Sequence, residues 1–260
     1  MLRRTFEPGA LSAEVDRVMN HEHRSPFRAE VGGGALSGRY VPTMCERTPV
    51  SLSLLDSFAG LAAALLGAPV LPVRAKCVLY FAGAAWHRDS DRAIPSVGFA
   101  AYLEPIRAGT GALRVLPGSQ RADLGEAVAE YLAGRRQDST GLPADTWVSA
   151  LPGFAVETNP GDVIAFDEHL FHASTGGRNR RQWRVDYVKD PEGPEEEQRV
   201  RAYYAGVYLP DWDGGYDVDS YPTYGSHWMR SRRPWIDRLG QLGAYEASAA
   251  EEAFARSRRG

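Results

Sequence analysis

Residues 76–89 (KCVLYFAGAAWHRD) run from an apolar segment into a short histidine–acid pair, and this stretch decides the fold. The run 76–81 predicts a strand that is buried on both faces, and the small residues after it allow a turn or a close approach to a ligand. In an extended segment, residues i and i+2 point to the same face. His87 and Asp89 can therefore reach one ion while Arg88 points away. Taken alone, a His-x-Asp tripeptide is more often ordinary surface sequence.

A later histidine gives this pair a partner. Residues 159–172 (NPGDVIAFDEHLFH) combine a Pro-Gly-Asp turn, an apolar strand-like run and a histidine, and a bend of small residues follows. Two imidazoles and one carboxylate on one face leave three coordination positions open, as in the facial triad of non-heme Fe(II) oxygenases. We predict that His87, Asp89 and His172 bind a metal. His169, Asp167 and Glu168 compete for the role of ligand, but only His172 is followed directly by the bend.

The strand predicted after the bend carries a candidate anion anchor. In residues 183–188 (WRVDYV), Arg184 and Asp186 alternate onto one face, and a hairpin would bring Arg184 back alongside His172. A guanidinium group can hold a carboxylate through two parallel hydrogen bonds and stays charged at every working pH. An arginine considered alone is more often an ion-paired strand residue. Beside a metal triad, it predicts an anchor for an acidic co-substrate.

With these elements the chain resembles the phytanoyl-CoA dioxygenase family of Fe(II)- and 2-oxoglutarate-dependent oxygenases. In that family a His-x-Asp pair precedes a G-x-L-x-x-x-P-G-S-H-like segment, a G-D-x-x-x-F segment leads into the distal histidine, and an arginine follows. The matching elements here stand in the same order: His87-Arg88-Asp89, 111–120, 161–166, His172 and Arg184. The resemblance covers about residues 74–190. Two departures are Gln120, where the family has a histidine, and Arg184, which lies one place later than the family's arginine.

The resemblance implies a mainly β fold, a double-stranded β-helix (jelly roll, cupin-like) flanked by α-helices. It implies that the triad binds Fe(II) and that Arg184 holds the distal carboxylate of 2-oxoglutarate, with Ser174 as a hydroxyl donor and Arg39 as a further contact. No catalytic side chain is implied beyond the metal ligands. Such an enzyme uses O2 to hydroxylate or oxidatively cyclise a small natural product by ferryl hydrogen abstraction, releasing succinate and CO2. The carboxylate of Asp89 argues against halogenation, because a halide would need that coordination position.

We predict one oxygenase domain over residues 1–260, with its core at about 74–190. An N-terminal helical wrap is expected at 1–70, where an apolar face repeats at helical spacing over 51–66. The run 190–199 (DPEGPEEEQR) is predicted to be an acidic loop. An aromatic-rich C-terminal extension follows at 200–260.

Aromatic residues crowd this extension, and two interpretations of them are open. The residues are Tyr203, Tyr204, Tyr208, Trp212, Tyr216, Tyr221, Tyr224, Trp228 and Trp235. In the structural interpretation, the rings pack the extension onto the β core. In the functional interpretation, Trp212, Tyr224, His227 and Trp228 form a lid that contacts the substrate. Because aromatic faces beside carboxylates commonly bind sugars, the lid favours a sugar-containing substrate such as an oligosaccharide antibiotic.

Composition excludes several other functions. A net charge of −3 gives no electrostatic footprint for nucleic acid. The two cysteines, Cys45 and Cys77, provide neither a disulfide framework nor zinc spacing. We expect no apolar leader, no segment that approaches a membrane span and no membrane partner. These features predict a cytoplasmic enzyme. We also expect a small-molecule substrate and a monomer or homodimer.

A second hypothesis comes from a different class of protein. A non-catalytic jelly-roll protein could keep a metal for structural reasons, or have lost it, and bind a ligand through the aromatic extension. The presence of the full triad together with Arg184 favours the oxygenase.

Overall fold

Two antiparallel sheets form the centre of the molecule. The computed structural model describes residues 1–20, 27–31, 34–90, 93–138, 148, 151–207 and 216–257. The strands are β1 Phe27–Val31, β2 Gly34–Pro42, β3 Val70–Tyr80, β4 Ala84–His87, β5 Ser96–Tyr102, β6 Thr110–Val115, β7 Phe154–Val156, β8 Ile164–Asp167, β9 His172–Gly176 and β10 Arg180–Lys189. One sheet has the order β1-β2-β3-β10-β5-β8 and the other the order β4-β9-β6-β7. This is the predicted jelly-roll architecture, although the sheets do not close into a barrel.

Helices flank the sheets, as predicted. They are α1 Pro8–Asn20, α2 Pro49–Leu66, α3 Ala122–Asp138, α4 Pro194–Val207, α5 Ser226–Met229, α6 Ile236–Gln241 and α7 Ala244–Ser257. Helix α2 starts with a proline in its first turn and ends at Gly67, whose φ of 66° is left-handed. Its Phe58 ring stacks on Phe99 of β5 with the ring centroids 5.1 Å apart. The helix therefore covers the outer face of the six-stranded sheet.

Helix α2 also corrects one expectation. With 18 residues and a mean hydropathy of 1.6, it is long and apolar enough to cross a membrane by length and composition, whereas we expected no such segment from the sequence. Its residues Leu55, Phe58 and Ala62 are buried in the main apolar core beside the six-stranded sheet. This packing accounts for the apolar residues on its inner face.

Strand β10 has one face in the main apolar core beneath α2. Its other face points to the interior, which is the space between the two sheets. Trp183 and Val185 belong to the core beneath α2, and the indole N–H of Trp183 donates to Ser51 at 2.7 Å. Alternation turns Arg184 and Asp186 to the other face. A Cβ on Gly98 of β5 would lie 3.0 Å from the Arg184 guanidinium and 3.2 Å from the Asp186 carboxylate. Glycine at this position thus leaves room for a charged interior.

The terminal segments differ from the sequence predictions. The segment 1–70 is more than a helical wrap, because it contributes β1 and β2 to the six-stranded sheet. Helix α4 begins at Pro194, inside the run that was expected to be an acidic loop. In the C-terminal extension, Tyr224 stacks on Trp228 at 5.2 Å and both rings are buried in the main core. For these two residues the packing follows the structural interpretation.

Candidate metal centre and co-substrate pocket

Three side chains from different parts of the sequence converge at one place, where His172 is buried, His87 is half-buried and Asp89 is exposed. His87 at the end of β4 pairs directly with His172 at the start of β9. The Nε2 atom of His172 lies 3.2 Å from one carboxylate oxygen of Asp89, and Nε2 of His87 lies 3.7 Å from the other. Donor atoms of all three residues lie within 4.8 Å of one another. In an octahedral site with bonds of about 2.1 Å, neighbouring donors are roughly 3 Å apart, so this set fits one metal ion.

Backbone carbonyls orient both imidazole rings. Nδ1 of His87 lies 2.7 Å from the carbonyl oxygen of Ala85, and Nδ1 of His172 lies 2.9 Å from that of Leu170. With Nδ1–H donating to these carbonyls, each Nε2 keeps its lone pair for a metal. Burial, together with the charge of His172, lowers the pKa of His87 to about 4. The His87 ring is therefore in its neutral, metal-binding form at neutral pH.

The neighbouring residues follow the alternation expected of the pair. The Arg88 guanidinium lies 5.0 Å from the centroid of the Phe171 ring, away from the triad. His169 lies outside the cluster, and its Nδ1 atom is 2.7 Å from the carboxylate of Asp167. Among the residues that the structure describes, His172 is thus the second histidine of the metal-binding cluster.

Arg184 lies beside the triad, but three carboxylates share its guanidinium group. Its Nη1 donates to Asp89 at 2.7 Å, its Nη2 to Glu168 at 2.7 Å and its Nε to Asp186 at 2.5 Å. Burial opposes the charge of Arg184, yet Asp186 and Asp89 outweigh it and raise the arginine's pKa well above its ordinary value. For Asp89, burial is likewise outweighed by Arg184 and His172, which hold its pKa well below the ordinary value. Asp89 is therefore ionised and held by Arg184.

Glu168 belongs to the site as a partner of Arg184, a role that the sequence did not indicate, and it lies outside the metal-binding cluster. Its side chain is buried, and burial together with the charge of Asp186 raises its pKa to about 7. One carboxylate oxygen accepts from Arg184, and the other accepts from the hydroxyl of Tyr203 on α4. Its backbone carbonyl accepts the N–H groups of Asp89 and Ser90 at 3.0 and 3.1 Å. Glu168 thus contacts the metal-ligand loop directly through its backbone, and its side chain is linked to Asp89 through Arg184.

Cations on β3 complete this charged interior. Arg74 and Lys76 each lie 3.7 Å from the carboxylate of Asp186. Burial, followed by the charge of Arg74, lowers the pKa of Lys76 to about 7. The carboxylates near Arg184 are therefore balanced by several cations, and the metal-binding end of the interior is strongly polar.

A second arginine, Arg180, occupies the same face of β10, four residues before Arg184. Its Nη atoms donate to the carbonyl oxygens of Gly111 at 2.7 Å and Ala82 at 2.8 Å, and to Oγ of Ser174 at 3.2 Å. Among the described residues, its hydrogen bonds all go to neutral oxygens, its Nε atom has no hydrogen-bond partner, and the guanidinium lies 5.2 Å from the ring centroid of Tyr80 and 6.0 Å from that of Tyr102. Arg180 is only 3% exposed. A buried guanidinium with neutral partners is ready to bind an anion.

Ser174 supplies a further donor at this place. Its Oγ accepts from Arg180 and from the backbone N–H of Ala84 at 3.1 Å, so its own hydroxyl hydrogen remains to be donated. Ser174 lies two residues beyond His172 on the same face of β9, a separation of about 6.6 Å along a strand. A five-carbon dicarboxylate can span such a distance. Arg180 and Ser174 can therefore reach one carboxylate of a dicarboxylate whose other end lies at His172.

Gly111 makes this position of Arg180 possible. Its φ is +97°, and a Cβ there would lie 2.4 Å from Cδ and 2.6 Å from Nε of Arg180. A side chain at residue 111 would consequently displace the guanidinium group.

The other residues proposed from the sequence lie elsewhere. Arg39 pairs with Leu79, and the next residue, Tyr80, has its ring 5.2 Å from the Arg180 guanidinium in the interior. By alternation, Leu79 and Arg39 face the other side of the sheet. His227 is exposed on α5, whereas Tyr224 and Trp228 are in the core. Trp212 lies outside the described residues. The structure therefore brings none of the described members of this group to the triad.

The aromatic ring of Phe154, which the sequence pattern does not indicate as a site residue, lies on the same sheet face as His172. In the four-stranded sheet, Val115 pairs with His172 on one side and with Phe154 on the other. Residues directly opposite each other share a face and are about 5 Å apart, so Phe154 lies two steps across the sheet from the metal ligand. Its side chain is 65% exposed. An exposed apolar ring is available at the rim of the site.

A centre of two histidines and one carboxylate inside a jelly roll defines a class of protein, the non-heme iron oxygenases. The comparison with protein families agrees, because the family described as phytanoyl-CoA dioxygenase (PhyH) matches residues 22–185, more than half of the chain. The chain belongs to this family. Its members are Fe(II)- and 2-oxoglutarate-dependent enzymes, so the predicted enzyme class, iron and co-substrate are confirmed.

Solved structures show the same fold. AviO1 from Streptomyces viridochromogenes Tue57 is 22% identical, with 73% of this chain and 88% of that chain covered and a TM-score of 0.50. HygX from Streptomyces hygroscopicus, solved with nickel and 2-oxoglutarate bound, is 16% identical over 72% and 81%, with a TM-score of 0.55. The carbocyclase SnoK from nogalamycin biosynthesis is 20% identical over 73% and 78%, with a TM-score of 0.52. A comparison with curated proteins finds no match.

Proposed function

We propose that this Fe(II)- and 2-oxoglutarate-dependent oxygenase hydroxylates or oxidatively cyclises a small natural product. The observation that carries the proposal is the convergence of His87, Asp89 and His172, with both Nδ1 atoms tied to backbone carbonyls. Bound iron supplies oxygen activation and removal of a substrate hydrogen atom. 2-Oxoglutarate provides two electrons and leaves as succinate and CO2. The protein's own residues bind, orient and exclude water.

We assign the distal carboxylate of 2-oxoglutarate to Arg180 and Ser174. Arg180 offers a buried positive charge without a carboxylate partner among the described residues, and Ser174 offers a hydroxyl hydrogen. Arg184, which the sequence indicated for this role, already pairs with three carboxylates. In this assignment Arg184 orients Asp89 toward the metal.

The proposed substrate has a ring with one apolar face that rests on Phe154. The ring of Phe154 is exposed and lies in the row with Val115 and His172, so a bound molecule on this face is directed toward the metal ligands. A sugar has such an apolar face, and a glycoside is the specific form of the proposal. SnoK is described as a carbocyclase, and oxidative ring closure is accordingly included with hydroxylation.

We propose further that the enzyme works in the cytoplasm as a monomer or homodimer. The cysteines Cys45 and Cys77 are both free and buried, which suits a reducing compartment and ferrous iron. A native mass measurement on the purified protein decides between the two oligomeric states.

Formation of succinate tests the proposed function. Purified protein with Fe(II), ascorbate, O2 and 2-oxoglutarate should form succinate slowly, and a panel of glycosides and aglycones should contain compounds that accelerate it. The variant His172→Ala should form none above background. If the wild-type protein binds metal but forms no succinate with or without the panel, the non-catalytic jelly-roll hypothesis is favoured instead.

A further inference from the structure

A chain of polar contacts, buried except at Asp89, joins the C-terminal extension to a metal ligand. The hydroxyl of Tyr203 on α4 donates to Glu168, Arg184 donates to Glu168 at 2.7 Å, and Arg184 donates to Asp89 at 2.7 Å. Tyr203, Glu168 and Arg184 are all buried. In a water-poor interior such contacts are stronger than at the surface, and leaving one unmade is costly.

The backbone of Glu168 ties the same two places together a second time. Its carbonyl oxygen accepts the N–H groups of Asp89 and Ser90, which form the loop after β4. The side chain and backbone of Glu168 thus act on Asp89 from two directions. Any shift of Glu168 would change both the loop and the carboxylate that it carries.

The next residue of α4 makes the role of Tyr203 specific. Tyr204 is equally buried, but its hydroxyl donates to the backbone carbonyl of Pro72 at 3.2 Å, away from the triad. Both hydroxyls stabilise the docking of α4 on the sheet. Only the hydroxyl of Tyr203 continues through side chains to the metal ligand.

We propose that Tyr203 is a positioning residue for the metal centre, acting through Glu168 and Arg184 on Asp89. The inference rests on the proposed function in one respect, namely that the triad binds Fe(II). Docking of α4 then holds Asp89 in its metal-binding orientation. The C-terminal extension consequently contributes to metal affinity without contacting the metal.

Metal binding by paired tyrosine variants tests this inference. Metal-free protein is titrated with Co(II), whose visible absorption reports coordination, and the Kd is compared for wild type, Tyr203→Phe and Tyr204→Phe. Loss of a partner next to a ligand typically costs about 10–100-fold in metal affinity, so we expect about 3–10-fold for Tyr203→Phe, one step further out. Tyr204→Phe should lose similar thermal stability but keep the wild-type Kd and Co(II) spectrum.

The variant Glu168→Gln provides a second reading and replaces Tyr203→Phe if that protein does not fold. It should raise the Kd for Co(II) by about 10–100-fold, because Arg184 loses one of its three carboxylate partners, the one that also accepts from Tyr203. Equal Kd values for wild type, Tyr203→Phe and Glu168→Gln would overturn the inference while leaving the proposed function intact. Failure of the wild-type protein to bind Co(II), or unchanged binding by His172→Ala, would instead overturn the proposed function and the inference with it.

Discussion

The two arginines share one face of β10, but their variants should lose different properties. Arg184→Met should mainly lose stability, and Arg180→Met should mainly lose affinity for 2-oxoglutarate. Arg184 forms ion pairs with Asp89, Glu168 and Asp186, and breaking a buried ion pair typically costs 3–5 kcal/mol. Glu168 can take up a proton because its pKa is already about 7, which limits the loss. We therefore expect Arg184→Met to lower the free energy of unfolding by about 3 kcal/mol.

Arg180→Met removes a cation that has neutral partners among the described residues. The cost of two lost hydrogen bonds to carbonyls is partly offset by removal of a buried charge, and we expect a net loss of about 1 kcal/mol. The affinity for 2-oxoglutarate should fall far more. Two charge-assisted hydrogen bonds contribute about 3 kcal/mol together, which corresponds to roughly 150-fold in Kd.

Two measurements separate these effects. Urea unfolding of the metal-free proteins gives the stability loss, and calorimetric titration of the Mn(II) proteins with 2-oxoglutarate gives the Kd. The reasoning would be refuted if Arg180→Met bound 2-oxoglutarate like the wild type. If Arg184→Met kept wild-type stability and lost 2-oxoglutarate binding, the roles of the two arginines would be exchanged, as the sequence alone predicts for Arg184.

Three further predictions concern the pH dependence, the co-substrate pocket and the substrate rim. Because folding lowers the pKa of His87 from 6.5 to about 4, the unfolded chain binds a proton that the folded chain does not between these pH values. The free energy of unfolding of the metal-free wild type should therefore fall by up to about 3 kcal/mol as the pH falls through this window. Urea unfolding should show a smaller fall for His87→Asn, and an equal dependence of stability on pH in the two proteins would contradict this. Gly111→Ala should lower the free energy of unfolding by about 1–2 kcal/mol, because alanine is strained at the positive φ of this residue. It should also weaken 2-oxoglutarate binding about 10-fold by displacing Arg180, whereas Co(II) binding, measured as a control, should be unchanged. For the first compound that stimulates succinate formation, Phe154→Ala should raise KM about 10-fold, since the loss of an aromatic face costs about 1.4 kcal/mol, and an unchanged KM would remove Phe154 from the substrate site.

The metal triad could be anticipated because its signal is local. Alternation along a strand puts His87 and Asp89 on one face, and a turn followed by an apolar strand leads to His172. The pairing of His87 with His172 across β4 and β9 then needs only the antiparallel fold that the family resemblance implies.

The arginine assignment could not be settled in this way. Alternation places both Arg180 and Arg184 on the interior face, so the two are equivalent in the sequence pattern. Their environments differ because β10 passes Ser174 at one end and the carboxylates around Asp89 at the other. That difference depends on long-range strand register, which the local sequence does not encode.

The sequence contains a helix-start signal for α4, although this stretch is predicted to be a loop. Pro194 followed by Glu195, Glu196 and Glu197 is typical of a helix start, because proline suits the first turn and acidic side chains favour the positive end of the helix dipole. Acidic composition favoured a loop instead. The contact of Tyr203 with Glu168 lies beyond any sequence signal, since it joins residues that are distant along the chain.

The most direct test of the central claim is an anaerobic titration of the metal-free protein with Fe(II) and 2-oxoglutarate, followed by visible absorption. A weak charge-transfer band of the iron–keto acid chelate should appear in the wild-type protein. The band should be absent in His172→Ala, and in Arg180→Met it should require a much higher concentration of 2-oxoglutarate. A folded wild-type protein that gives no band at saturating Fe(II) and 2-oxoglutarate would contradict the account.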